Sequence, residues 1–136
     1  MDTSRLRRQT ELSTFIRVSR QPLVRQSAMI SRGLGPMVAH TVSSAFLVPP
    51  KELRAPTRRN AQTARARQVA MYLAHVGFGL TYSEAGLLFG RDRTTVAHAC
   101  RLVEDRRNDP GFDVSLDCLE QTLRARVDGI FGAVAA

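Results

Sequence analysis

Two apolar stripes of the same helical period constrain this chain most. Ala66, Val69, Ala70 and Leu73 fall at i, i+3, i+4 and i+7, and Val96, Ala99, Cys100 and Val103 repeat that spacing. Each set therefore shares one face of a helix, and a stripe of that width needs a partner surface to bury it. Between the stripes, Gly77-Phe78-Gly79 and Gly90 punctuate a segment too short for more than a brief helix. The pattern predicts an all-α fold.

The brief helix has a defined start. Thr81 and Glu84 make a T-x-x-E capping box, in which each side chain satisfies an unpaired amide of the first turn. Ala85, Leu88 and Phe89 can face inward before Gly90 closes the helix, and Asp92 or Arg93 opens the next one. Opposite its apolar stripe that second helix carries Arg93, Thr94, His98 and Arg101. Two short helices joined by a tight glycine turn, the second with polar residues outward, form a helix-turn-helix that suits the major groove of DNA. Periodicity alone also fits a small helical bundle with solvated charges.

The flanks read less sharply. Pro49-Pro50 opens a short helix through Lys51, Glu52 and Leu53 that Pro56 stops, and a basic turn, Thr57-Arg58-Arg59-Asn60, precedes the helix from Ala61 to His75. After the second stripe the chain breaks near Asn108, ahead of Pro110. A last helix, capped by Asp113 or Ser115, covers the core with Leu116, Leu119, Leu123 and Val127 and turns an acidic face outward. Residues 1–48 hold no period for long, interrupted by Pro22, Gly33, Gly35 and Pro36. They read as a flexible basic arm, ahead of a domain over 49–127 and a loose tail over 128–136. The arm's arginines either add phosphate attraction or are merely solvated. The Arg- and Ser-rich, acid-poor stretch 1–32 also has the composition of a transit peptide, and Met29 and Met37 leave a downstream start open.

Charge is unevenly placed. The net +8 suits a polyanionic partner, yet residues 51–101 hold nine basic and three acidic groups, whereas 102–136 hold four and seven. Lys51 is the only lysine. Arginine offers a rigid donor fork for phosphate and guanine, although a high-GC genome explains the same bias. Cys100 and Cys118 belong to no C-x-x-C and read as small core residues in a reducing compartment. No stretch approaches 18 consecutive apolar residues, so no membrane partner is expected. Paired carboxylates, a nucleophile with its base and a metal-ligand spacing are all missing, so neither enzyme activity nor a cofactor or metal is expected.

Two segments carry a family resemblance. Ala64-Arg-Ala-Arg-Gln-Val-Ala-Met-Tyr-Leu73 and Phe89-Gly-Arg-Asp-Arg-Thr-Thr-Val-Ala-His-Ala-Cys-Arg101 closely resemble the C-terminal DNA-binding domain of the bacterial replication initiator DnaA. The resemblance covers roughly residues 48–126. It implies a helical fold related to the Trp repressor, with the helix-turn-helix in the major groove and a basic loop in the adjacent minor groove. By position it implies that Arg59, beside Arg58, enters the minor groove. Arg67, Gln68 and the cap residues Thr81, Tyr82 and Ser83 would then hold the phosphate backbone. Asp92, Arg93, Thr94 and Thr95 would read bases, and His98 would lie beside the backbone. On electrostatic grounds Arg91, with Arg58, Arg59 and Arg67, is also expected to meet phosphates.

The departures are specific. The family's usual glycine pair is the single Gly90, its usual His after Asp is Arg93, and the basic residue common at the position of Leu102 is absent. The family's ATPase module carries a G-x-x-x-x-G-K-[ST] loop, and none occurs here, so ATP is not an expected partner. The expected function is sequence-specific binding of double-stranded DNA in the cytoplasm, at the nucleoid. Regulation of transcription by site occupancy is preferred over modulation of replication by competition for initiator boxes, and a protein-interaction module is the remaining alternative. Oligomeric state is open.

Overall fold

The computed structural model describes residues 33–55 and 60–135, with the side chains of 33–55 and 60–130. The described residues hold five α-helices, one 3-10 turn and one π turn, in the order α1 (Leu34–Phe46), the 3-10 turn (Pro50–Arg54), α2 (Ala61–Tyr72), the π turn (Leu73–Gly77), α3 (Tyr82–Phe89), α4 (Arg93–Arg106) and α5 (Pro110–Ala135). No strand occurs among them. The expected all-α helix-turn-helix architecture is what the chain adopts.

Both apolar stripes are buried. Ala66, Val69, Ala70 and Leu73 are fully inaccessible, and Val96, Ala99, Cys100 and Val103 pack against the same core. The tightest packing is between α2 and α4 and between α3 and α4. Asn60 starts α2 by accepting from the Thr63 amide at 2.8 Å. The helix does not stop cleanly at the glycines. It widens into a π turn over Leu73–Gly77, which carries the chain around so that the His75 Nδ1 lies 2.6 Å from the Leu80 carbonyl. Since a carbonyl only accepts, Nδ1 is the protonated ring nitrogen there.

Five expectations need correction. The arm assigned to 1–48 contains α1, whose Leu34, Val38 and Val42 are completely buried and which packs on α2, α3 and α5. The folded domain therefore begins before residue 49. Proline and glycine at 33, 35 and 36 look like breakers, but all fall at the helix entry, where a proline has no amide bond to lose and Gly33 adopts a left-handed φ of 95°. Residues 1–32, the rest of that arm, and 56–59 lie outside the described residues.

At the other end, 128–135 are not loose coil but the last turns of the 26-residue α5. That helix starts at Pro110, with Asp109 Oδ2 accepting from the Phe112 amide at 3.1 Å, so neither Asp113 nor Ser115 is its cap. Asp113 is buried instead, and Cys118 is exposed while Cys100 is buried. Burial pushes the Cys100 thiol up to about 12, leaving it an unreactive core group.

The acidic face of α5 does not simply point outward. Arg107, at the end of α4, donates from Nε to Asp113 Oδ1 at 2.6 Å, from Nη2 to Asp117 Oδ1, and from Nη1 to the Tyr72 hydroxyl at 2.7 Å. Tyr72 in turn donates to Glu104 at 2.8 Å. Burial, then the neighbouring Glu104 charge, push the Tyr72 hydroxyl well above its ordinary range, so it remains a donor. One buried cation thereby joins α2, α4 and α5.

Candidate nucleic-acid interface

The turn between α3 and α4 is set by close backbone approach. Thr81 Oγ1 accepts from the Glu84 amide at 3.0 Å and Glu84 Oε1 from the Thr81 amide at 2.7 Å, completing the capping box. Gly90 ends α3 at φ 65°, ψ 37°, a left-handed conformation that glycine adopts without Cβ strain. The Arg91 amide then returns to the Gly86 carbonyl at 2.9 Å. A Cβ at Gly86 would stand 2.2 Å from the Arg91 carbonyl oxygen, so only glycine permits this fold-back. Sequence reading missed Gly86; its signal was a glycine inside a short, otherwise well-capped helix.

Asp92 is the N-cap of α4. Its Oδ1 accepts from the Thr95 amide at 2.8 Å, and hydrogen bonds from Thr95, first from its backbone, hold the carboxyl below the usual carboxylate range. The side chain expected to read bases is thus committed at one oxygen to starting the helix. Beyond it, Arg93, Thr94, Thr95 and His98 are exposed on the first two turns of α4. No described carboxylate forms an ion pair with Arg93. This end of α4 also carries the positive end of the helix dipole, which favours an anion.

Beside these turns a groove of about 200 Å³ is lined by Arg67, Gln68, Arg91, Thr95 and His98, with Ala64, Met71 and Ala99 at its floor. Five of the expected site residues, from α2, the turn and α4, therefore share one surface. Two of them are less free than an outer phosphate contact would be. Arg67 is 7% exposed, donating from Nε to the Leu53 carbonyl at 3.0 Å and from Nη2 to the Glu52 carbonyl at 2.7 Å, which fastens the 3-10 turn to α2. Arg91 donates from Nη1 to the Phe89 and Gly90 carbonyls at 3.3 and 3.2 Å and from Nη2 to the Ala55 carbonyl. Both keep their charge at the groove while shaping the backbone around it.

Thr81, Tyr82 and Ser83 are exposed at the start of α3 and do not line this groove. The Tyr82 ring lies 4.3 Å from the His75 ring, tilted by 32°. Arg58 and Arg59 fall in 56–59, outside the described residues; Ala55, which precedes that segment, is held by Arg91. Among the described residues no group of three or more His, Cys, Asp or Glu side chains is placed to hold a metal, and no helix is long and apolar enough to cross a membrane.

Comparison with known proteins places this surface in a family. The family model described as the bacterial dnaA protein helix-turn-helix matches residues 36–103, from within α1 to the buried Val103 of α4. The chain is similar to the chromosomal replication initiator protein DnaA of Acinetobacter baumannii, at 45% identity over 78 residues, covering 56% of this chain and 17% of that protein. Against the protein of the same name from Ralstonia nicotianae it is 48% identical over 69 residues, covering 49% of this chain and 13% of the relative. The chain thus spans less than a fifth of these relatives' length. Its fold is similar to that in a crystal structure of a DNA replication initiation factor, with a TM-score of 0.67 and 26% identity over 90% of this chain and 38% of the other.

Proposed function

The chain belongs to the bacterial DnaA helix-turn-helix family, and from that premise we propose that it binds double-stranded DNA in a sequence-specific manner, with α4 in the major groove. The observation that carries the proposal is the cluster of exposed Arg93, Thr94, Thr95 and His98 on the first turns of α4, flanked by Arg67, Gln68 and Arg91 in one groove. Side chains on the first turns of a recognition helix reach base edges, and the flanking cations and amides hold phosphates. Arg58 and Arg59 complete the interface from the segment before α2, with Arg59 in the minor groove. Thr81, Tyr82 and Ser83 add backbone contacts from the start of α3.

Arg93 is the residue that sets the preferred sequence. It stands exposed one residue after the N-cap, where a guanidinium reaches O6 and N7 of guanine with two parallel donors. Such a contact discriminates by about 1 to 3 kcal/mol, or tenfold and more between bases. Selecting sites from random DNA for the parent and for Arg93→His tests this. Different consensus sequences are expected, and recovery of one consensus that differs only in salt dependence would make Arg93 a backbone contact. With on the order of four phosphate contacts, log K should fall against log salt with a slope of about −4, and a slope near zero would end the electrostatic case.

In the cell we read the activity as regulation of transcription by occupancy of sites in the nucleoid. A helix-turn-helix face of this kind acts by where it sits on DNA. The replication-initiator names of its relatives favour a second reading, in which the chain competes for initiator boxes. Genome-wide mapping of bound DNA separates the two: sites at promoters support the first, and sites clustered at the origin the second.

A further inference from the structure

A second groove, of about 500 Å³, opens on the same α2–α4 face and shares Ala64 and Gln68 with the first. It continues toward the far end of α4, where Leu102, Asp105 and Arg106 stand opposite Asn60, Ala61 and Arg65. From Thr95 to Arg106 the helix rises about 16 Å, so this groove lies well beyond the base-reading turns.

Two guanidinium groups line it. Neither Arg65 nor Arg106 forms an ion pair with a carboxylate among the described residues, although Asp105 lines the same groove. Arg106 is held in place, its guanidinium carbon 4.1 Å from the centroid of the Phe112 ring, and its Nη1 is buried with no acceptor. Burial, then the Arg65 charge, lower the Arg106 pKa from its ordinary range, the direction expected when like charges are brought together. An anion between the two relieves that repulsion and offers oxygens to both donor forks.

Resting on the DNA-binding reading above, we propose that Arg65 and Arg106 together take a backbone phosphate of the duplex outside the sequence read by α4, extending the interface along the α2–α4 groove. Continuity with the first groove, through Gln68, favours a duplex phosphate over an acidic protein. At 3.4 Å per base pair, 16 Å along α4 limits the flank it can span to at most roughly five base pairs.

The test measures affinity for the selected site in two duplexes, one with about two flanking base pairs and one with about eight. Arg65→Ala and Arg106→Gln should each weaken binding to the long duplex severalfold, flatten its salt slope by about 1, and leave the short duplex unaffected. Phosphate ethylation interference should lose one position in the flank. Because Arg106 packs on Phe112, the exposed Arg65 carries the test if Arg106→Gln melts early. Equal loss on both duplexes, or no loss on the long one, would overturn the proposal while leaving the DNA-binding reading intact. A parent that binds neither duplex overturns both. Loss of binding to polyglutamate with unchanged DNA binding would reassign the groove to an acidic protein.

Discussion

At the start of α4, Arg93 is exposed and pairs with no described carboxylate, whereas just past its end Arg107 is 5% exposed and is matched by Asp113, Asp117 and Tyr72. The two side chains are chemically identical. What separates them is α5, whose Asp113 and Asp117 are four residues apart and so present both carboxylates on one helical face to Arg107. Of these two arginines, the one that the acidic C-terminal segment reaches is a structural pin, and the one that it does not reach remains open to an outside anion. The net +8 is therefore less informative than the separation of charge along one helix.

Exchanging the fates of these two arginines gives the largest expected effect. Arg107→Ala leaves the buried Asp113 carboxylate without its cation, and removing one partner of such a pair costs about 3 to 5 kcal/mol. Arg93→Ala, at an exposed position, should change stability by no more than about 0.5 kcal/mol while relaxing the preference at one base of the site. Urea unfolding and site selection on both variants check the contrast. If Arg107→Ala unfolds at the parent's denaturant midpoint, the buried network is not what joins α2, α4 and α5.

A smaller effect should strike both regions at once. Gly86→Ala drives a methyl group against the Arg91 carbonyl, forcing α3 and the turn apart at a cost of about 1 to 3 kcal/mol. Because the same turn carries the Asp92 cap, DNA affinity should fall by more than the loss of folded protein explains. Circular dichroism melting and binding measured on the still-folded fraction separate these contributions. Normal affinity in that fraction would show that the recognition surface tolerates a shifted turn.

The central fold was legible because its signals are local. The two stripes, the Thr81–Glu84 box, the Gly90 stop and the Asp92 start are each set by residues within a few positions of one another. The same holds for the exposed face of α4. What escaped depends on how one element packs against another: α1 is helical because Leu34, Val38 and Val42 find the core, and Asp113 is buried because α5 folds back onto Arg107, which also reaches Tyr72 on α2. Arg67 is the instructive site residue. Its position on α2 was readable from the stripe, but that its fork holds the Leu53 and Glu52 carbonyls follows only from where the 3-10 turn packs.

The smallest effect sharpens the contrast from the buried side, where one acid is not matched as Asp113 is. Glu120, on α5, has its Oε1 buried with no hydrogen-bond partner among the described residues, near the backbone of Gly77. Burial is the largest influence on it and raises its pKa, against the opposing pull of Arg107 and Arg124. A carboxyl whose folded pKa lies above its unfolded value, about 4.3, binds more protons when folded, so stability falls as pH rises between the two values. Ionisation of Glu120 as the pH rises therefore opposes folding. Glu120→Gln keeps the shape and removes the buried charge, and the melting temperature at pH 7 should rise by about 2 to 4 °C. Below pH 4, where the parent side chain is protonated in both states, the gain should vanish. Melting curves across pH 3.5 to 8 decide the point. A variant that is less stable than the parent at pH 7 would mean that Arg107 and Arg124 already satisfy Glu120, and that the acids of α5 are matched throughout.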